Sequence, residues 1–255
     1  MPAKADQLGR HLLRIDPSLE ASLPAEIKRG FGSYGRYWVE SFRLPSLNGR
    51  RVNANFEVDD YHHISDVLDS GNAPILVLPH LGGWEWAAAW LSRQMGLTVA
   101  AVVERLEPEE VFEWFSSVRE GYGVEVIPLG SKAMSRLTSQ VKEQSVIALM
   151  SDRDIAGTGL EVEFFGEVTK LPLGPALLSK RTGAPLLPTA VFYDGWGYRA
   201  EVGAPIYPKW DGPSLRSDLQ TVTQELARHM EKLIRKAPNQ WHVLEPNWPS
   251  DTKTG

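Results

Sequence analysis

The residues best placed to do chemistry lie in Leu78-Pro79-His80-Leu81-Gly82-Gly83-Trp84-Glu85. An apolar run ends in a histidine, two glycines allow a tight turn, and a carboxylate follows in what reads as the first turn of a helix. On a continuous helix a spacing of five would put His80 and Glu85 on different faces; with a turn between them, Glu85 is expected to curl back to the ring. A carboxylate at one ring nitrogen fixes the tautomer and leaves the other nitrogen to take a proton, the arrangement of a general base acting on a hydroxyl nucleophile. Backbone N–H groups of Gly82, Gly83 and the helix start would then face the negative oxygen of a tetrahedral intermediate. The same spacing suits a structural histidine satisfied within a core, and these residues by themselves leave both readings open.

The elements that must position this segment can be read from pattern. From 73 onward, short apolar runs alternate with amphipathic stretches: strands over 74–78, 97–103, 124–128 and 145–150, and helices over 84–94, 108–120 and 133–142. Strands separated by helices of this length predict an α/β fold with a mostly parallel central sheet covered by helices on both faces. His80 then falls at the carboxyl end of a strand, where open α/β sheets place their ligands. The last third adds strands over 160–165, 185–193 and 198–202, a helix over 174–181 and a long amphipathic helix over 213–236. A helix over 24–44 opens on Pro24 and carries Phe31, Tyr34, Tyr37, Trp38 and Phe42 at spacings of three and four, with Arg29, Arg36 and Arg43 on another face. No break in composition divides the chain, so 1–255 reads as a single domain with its core over 73–248.

Composition narrows the function. There is no cysteine, which excludes a thiol nucleophile, a disulfide framework and cysteine-ligated zinc. The net charge is −5, against nucleic-acid binding, yet residues 1–55 hold nine cations and five acids, a local +4 suited to anionic headgroups or to an ordinary basic helix face. No apolar run reaches the ~18 residues of a membrane span, and the start lacks the build of a secretory signal. Gly30-x-Gly32-x-x-Gly35 matches the dinucleotide fingerprint as a string, but no apolar strand precedes it, so it reads as chance or as close helix packing. His62-His63 follows Asp59 and Asp60 without a fuller ligand set and reads as a helix start; no metal site is expected.

His-x-x-x-x-Glu in this strand, glycine and tryptophan setting resembles the signature of the bacterial lipid A biosynthesis acyltransferases and the related phosphatidylinositol mannoside acyltransferases. Met150-Ser151-Asp152-Arg153-Asp154 is similar to a second block of that family and 159–166 to a third; Leu173-Gly174-Pro175-Ala176, Thr182-Gly183-Ala184-Pro185 and Pro238-Asn239-Gln240-Trp241 continue the likeness. Tyr37-Trp38-x-x-Ser41-Phe42-Arg43 and Val103-Glu104-Arg105-Leu106 look most like the mannoside branch. Two departures stand out: many relatives carry Asn where this chain has Gly83, and the hydrophobic amino-terminal stretch of many relatives is short or missing.

The resemblance implies transfer of a fatty acyl chain from acyl-coenzyme A, as co-substrate, or from acyl-carrier protein, to a sugar hydroxyl of a membrane glycolipid, by a peripheral enzyme at the cytoplasmic membrane face. No resident cofactor and no nucleic-acid partner are implied. By position His80 would be the base and Glu85 its partner, with Glu104, Arg119, Asp152, Arg153, Asp154 and Glu161 lining the cleft. Several of these residues keep a plainer alternative. Arg153 suits a donor phosphate or an ion-pair cluster with its flanking acids; Lys170, Lys180 and Arg181 suit coenzyme phosphates or are surface cations. Phe164 and Phe165 wall an acyl tunnel or pack in the core; Glu161 faces the cleft or solvent. Related readings are a lysophospholipid or glycerol-phosphate acyltransferase, an inactive lipid-binding relative, and a metal hydrolase using His80 with Asp152 and Asp154.

Overall fold

Four apolar residues in succession, Ile75–Leu78, suit a strand buried on both faces, and the computed structural model, which describes residues 2–105 and 107–252, buries all four at the centre of a sheet. Met1, Leu106 of the mannoside-like segment and 253–255 at the end of the expected domain lie outside the described residues. The first part of the chain runs α1 (Pro2–Ile15), α2 (Leu23–Arg43), α3 (Gly49–Asn53), β1 (Phe56–Asp59), α4 (His62–Asp69), β2 (Ile75–Leu78), α5 (Trp84–Arg93), β3 (Val99–Val103), α6 (Glu109–Gly121) and β4 (Val124–Pro128). It continues through α7 (Ala133–Lys142), β5 (Val146–Met150), β6 (Leu160–Phe164), β7 (Glu167–Leu171), α8 (Gly174–Thr182), β8 (Leu186–Asp194), β9 (Gly197–Val202) and α9 (Leu215–Lys236).

Seven strands form one sheet in the order β1-β9-β8-β2-β5-β3-β4, parallel except where β9 turns back antiparallel on β8 and takes β1 with it. Strands β6 and β7 form a separate hairpin against α9, held by Gln220 and Gln224 donating to the Glu161 and Glu163 carbonyls. Alternation within β2 divides the core. Ile75 and Val77 join the cluster under α7, α8 and α9, while Leu76 and Leu78 join the one under α3, α4 and α5. This is the α/β fold expected from the pattern, a mostly parallel sheet with helices on both faces, an aromatic helix before it and a long helix closing it.

Gly30, Gly32 and Gly35 fall inside α2, and a Cβ on Gly30 would stand 2.8 Å from Leu8. The glycine there lets α1 pack closely on α2, the role left open for that string. His63, at the start of α4, faces the Val202 carbonyl through Nδ1 at 2.8 Å, a structural use.

Two parallel neighbours fix the geometry that matters most. Leu78 of β2 lies opposite Met150 of β5, so the residues two beyond each strand end, His80 and Asp152, emerge side by side at the carboxyl edge.

Candidate active site

Asp152, not Glu85, is the acid at the His80 ring. Its Oδ1 lies 2.6 Å from His80 Nδ1, and its Oδ2 accepts the His80 backbone N–H at 2.8 Å and the Trp241 indole N–H at 2.6 Å. An ionised carboxylate can only accept, so Nδ1 carries the proton and Nε2 holds the lone pair; Nε2 has no hydrogen-bond partner among the described residues. Asp152 is fully buried, which works against its charge, but the adjacent His80 and the hydrogen bonds from His80 and Trp241 outweigh burial and hold the carboxyl below its usual range.

The expected pairing of His80 with Glu85 is therefore corrected. Glu85 stands in the first turn of α5, where the helix dipole favours an acid, and its oxygens are taken up elsewhere. Arg119 of α6 donates to Oε1 from Nε at 3.0 Å and from Nη2 at 2.5 Å, Tyr37 of α2 donates at 3.2 Å, and Tyr122 donates to Oε2. Burial opposes the Glu85 charge, yet Arg119 and the tyrosine hydroxyls hold its carboxyl below the usual range. Burial raises both tyrosine hydroxyls well above theirs, with the Glu85 charge adding to it. The Glu85 cluster ties α2, α5 and α6 together beside the site.

The loop between β2 and α5 is fixed by what surrounds it. Gly82 has φ +60°, and a Cβ there would meet the Val191 carbonyl oxygen at 2.0 Å, so only glycine fits. A Cβ on Gly83 would stand 2.7 Å from the Tyr198 ring, which fills the space a side chain would need. The N–H of Gly82 donates to the Gln240 carbonyl at 2.9 Å and that of Gly83 to Val191 at 3.3 Å. Neither is free for an oxyanion, a second correction.

Before this pair opens an apolar cavity of about 500 Å³. It reaches under α5 between Trp84, Ala87, Ala88 and Trp90 and the sheet residues Leu76, Leu78, Ala148 and Met150. Glu104, Arg119, Arg153 and Asp154 also line it. Arg153 has no ion-pair partner among the described residues, while Asp154 accepts the Gly159 N–H at 2.7 Å. Among the described residues, no three histidine or carboxylate side chains converge as a metal would require.

Other expected site residues lie elsewhere. Phe164 and Phe165 pack into the core against Trp241 and Trp248, the Phe164 and Trp248 rings stacking at 5.7 Å, and neither lines the cavity. Glu161 and Lys170 pair across the β6–β7 hairpin with exposed side chains. Lys180 and Arg181 end α8 just before β8, whose first residue Leu186 pairs with Ile75 at the start of β2. They therefore sit at the amino edge of the sheet, opposite His80, and Lys180 lies over the Trp210 ring.

Sequence reasoning missed the contribution of the C-terminal segment. His242 donates its backbone N–H to the His80 carbonyl at 2.7 Å, its Nε2 meets Ser33 Oγ at 2.8 Å, and its buried Nδ1 has no partner among the described residues. Burial pushes its imidazole down to about 3. Only the recurrence of Pro238-Asn239-Gln240-Trp241 in the family likeness marked this segment.

A paired histidine with one free ring nitrogen, set at the carboxyl edge of a mostly parallel sheet over an apolar cavity, defines an α/β enzyme that works on a lipid-like substrate. The family model described as bacterial lipid A biosynthesis acyltransferase matches residues 10–250, and the chain belongs to that family; it is an acyltransferase. It is 38% identical to a phosphatidylinositol mannoside acyltransferase of Mycolicibacterium smegmatis over 252 residues, covering 96% of this chain and 80% of the relative. A phosphatidylinositol mannoside acyltransferase of Mycobacterium tuberculosis is 37% identical over 252 residues, covering 96% of this chain and 78% of the relative.

Proposed function

We propose that this chain moves a fatty acyl group from a thioester, acyl-coenzyme A or acyl-carrier protein, to a sugar hydroxyl of a membrane glycolipid of the phosphatidylinositol mannoside kind, with His80 as general base. The observation that carries the reading is the His80–Asp152 pair at the mouth of the apolar cavity. The acceptor hydroxyl gives its proton to Nε2 as its oxygen attacks the thioester carbonyl; the imidazolium forms against the Asp152 carboxylate. Collapse of the tetrahedral intermediate breaks the carbon–sulfur bond, and the proton on Nε2 passes to the departing thiolate. The 255 residues include no cysteine, in keeping with direct transfer. With the Gly82 and Gly83 N–H groups occupied and those of Trp86 and Ala87 donating to the Gly83 carbonyl, the N–H groups of Trp84 and Glu85 at the start of α5 are left to support the oxyanion.

The apolar walls under α5 suit an acyl chain, and Arg153 suits a phosphate of donor or acceptor. The names of the relatives support the mannoside acceptor. Attachment to a membrane surface finds support in an exposed apolar surface beside the cavity. Val39 and Phe42 of α2 and Trp114 of α6 are each about half exposed, Phe42 packs on Trp38, and Trp38 lines the cavity. Lys28, Arg29 and Arg43 are exposed on the same helix. No helix among the described residues is long and apolar enough to cross a membrane.

The test is His80→Ala with one labelled acyl donor and two acceptors, a phosphatidylinositol monomannoside and a lysophospholipid. The wild-type chain should acylate the mannoside in preference, and the variant should lose nearly all transfer while still binding the donor. Full transfer by the variant would refute the base; preference for the lysophospholipid would refute the acceptor.

A further inference from the structure

Trp241 is 1% exposed and aims its one polar atom, the indole N–H, at Asp152 Oδ2 from 2.6 Å. It belongs to a strap that crosses behind the His80 loop: Gln240 accepts the Gly82 N–H, His242 donates to the His80 carbonyl, and Asn247 Nδ2 donates to the Asp152 carbonyl at 3.0 Å. We infer that Trp241 is a positioning residue, whose N–H fixes the Asp152 carboxylate so that Oδ1 is presented to His80 Nδ1. This rests on the reading of His80 as base.

A carboxylate held among apolar groups has no water to orient it, so its donors decide which oxygen faces where. Oδ2 takes two, the His80 backbone N–H and the Trp241 indole; Oδ1 takes the imidazole alone. The indole N–H also stabilises the ionised form. Without it the carboxylate turns more easily and loses one of the hydrogen bonds that keep it ionised, so Asp152 takes up a proton at higher pH. Packing alone would ask less of position 241, since a phenyl ring fills much of the same space beside Phe164 and Trp248.

The experiment compares Trp241→Phe, Trp248→Phe and His80→Ala. Trp248 belongs to the same aromatic cluster but donates to the Phe164 carbonyl at 2.9 Å and does not touch the pair. Coenzyme A release from palmitoyl-coenzyme A with phosphatidylinositol monomannoside is followed by a thiol reagent, to which a chain without cysteine adds no background. For Trp241→Phe, kcat should fall roughly 10- to 100-fold with KM little changed, the loss of one hydrogen bond to a charged group. The acid limb of its pH profile should move up by about one unit. Trp248→Phe should melt earlier yet keep the wild-type kcat and acid limb. Should Trp241→Phe not fold, β-(3-benzothienyl)alanine at 241 keeps the ring shape, removes the N–H and must give the same two changes. Wild-type kcat and acid limb in the folded variant, or the same displacement in Trp248→Phe, would overturn the proposal. Activity in His80→Ala would instead overturn the base reading, whereas an inactive His80→Ala beside an unaltered Trp241→Phe sinks the Trp241 role alone.

Discussion

Replacing Asp152 by Asn removes one charge and almost no volume from the centre of the site. The carboxylate accepts from His80 N, His80 Nδ1 and Trp241 Nε1; an amide can satisfy the first and third with its oxygen but turns an NH2 towards Nδ1. The ring must then carry its proton on Nε2, which leaves nothing to accept the proton of the acceptor hydroxyl. The charge term is also large. Opposite charges centred about 4 Å apart at an effective dielectric of 20 attract by ~4 kcal/mol, and that support for the imidazolium in the transition state corresponds to roughly a thousandfold in rate. The expected outcome for Asp152→Asn is a kcat lower by about three orders of magnitude, an unchanged donor KM and residual activity whose acid limb lies at lower pH. Thiol release across pH 5–9, with a thermal melt to establish that the variant folds, is the assay. A folded variant within tenfold of wild-type kcat would show that the pairing does not activate His80.

The Glu85 cluster gives a stability prediction with a definite sign. The Glu85 carboxyl is held below its usual range in the folded state, so its contribution is complete above the unfolded value near ~4.3 and is lost as pH falls through the folded one. Glu85→Gln should therefore cost about 3 kcal/mol at pH 7 by leaving Arg119 without its partner, and urea unfolding at pH 3 should find the gap narrowed; an equal gap at both pH values would contradict the ion-pair account. In the cavity, Ala88→Phe places a ring in the space under α5, and palmitoyl transfer should fall by about tenfold or more while butyryl transfer stays within about twofold; equal losses for the two chains would exclude an acyl channel there. At the surface, Phe42→Asp with Trp114→Asp should reduce sedimentation with phosphatidylglycerol-containing vesicles by roughly tenfold or more, and unchanged sedimentation would mean that the membrane meets another face.

Periodicity carried six of the seven strands of the sheet, all but the short edge strand β1, and most of its helices, because the spacing of apolar side chains is set by whether a segment is a strand or a helix, and that is a local property. Ile75–Leu78, Val124–Pro128 and Ala133–Lys142 stand where their patterns put them, and His80 stands at a carboxyl edge because a strand precedes it. The family likeness was equally a matter of sequence, carried by short blocks spread along the chain. Which acid meets which base was not local. Glu85 is near His80 in sequence but turns to Arg119, while Asp152 reaches the ring because β5 is the strand beside β2 and pairs with it in register. The occupied N–H groups of Gly82 and Gly83, the burial of Phe164 and Phe165, and the distance of Lys180 and Arg181 from the site all follow from strand order and from segments far away in the chain. Residue types and spacing determine the elements and the chemistry available to them; the tertiary contacts of Trp241, Val191 and Tyr198 decide which of those groups remain free to act, because a hydrogen-bonding group already satisfied by the fold has none left for a substrate.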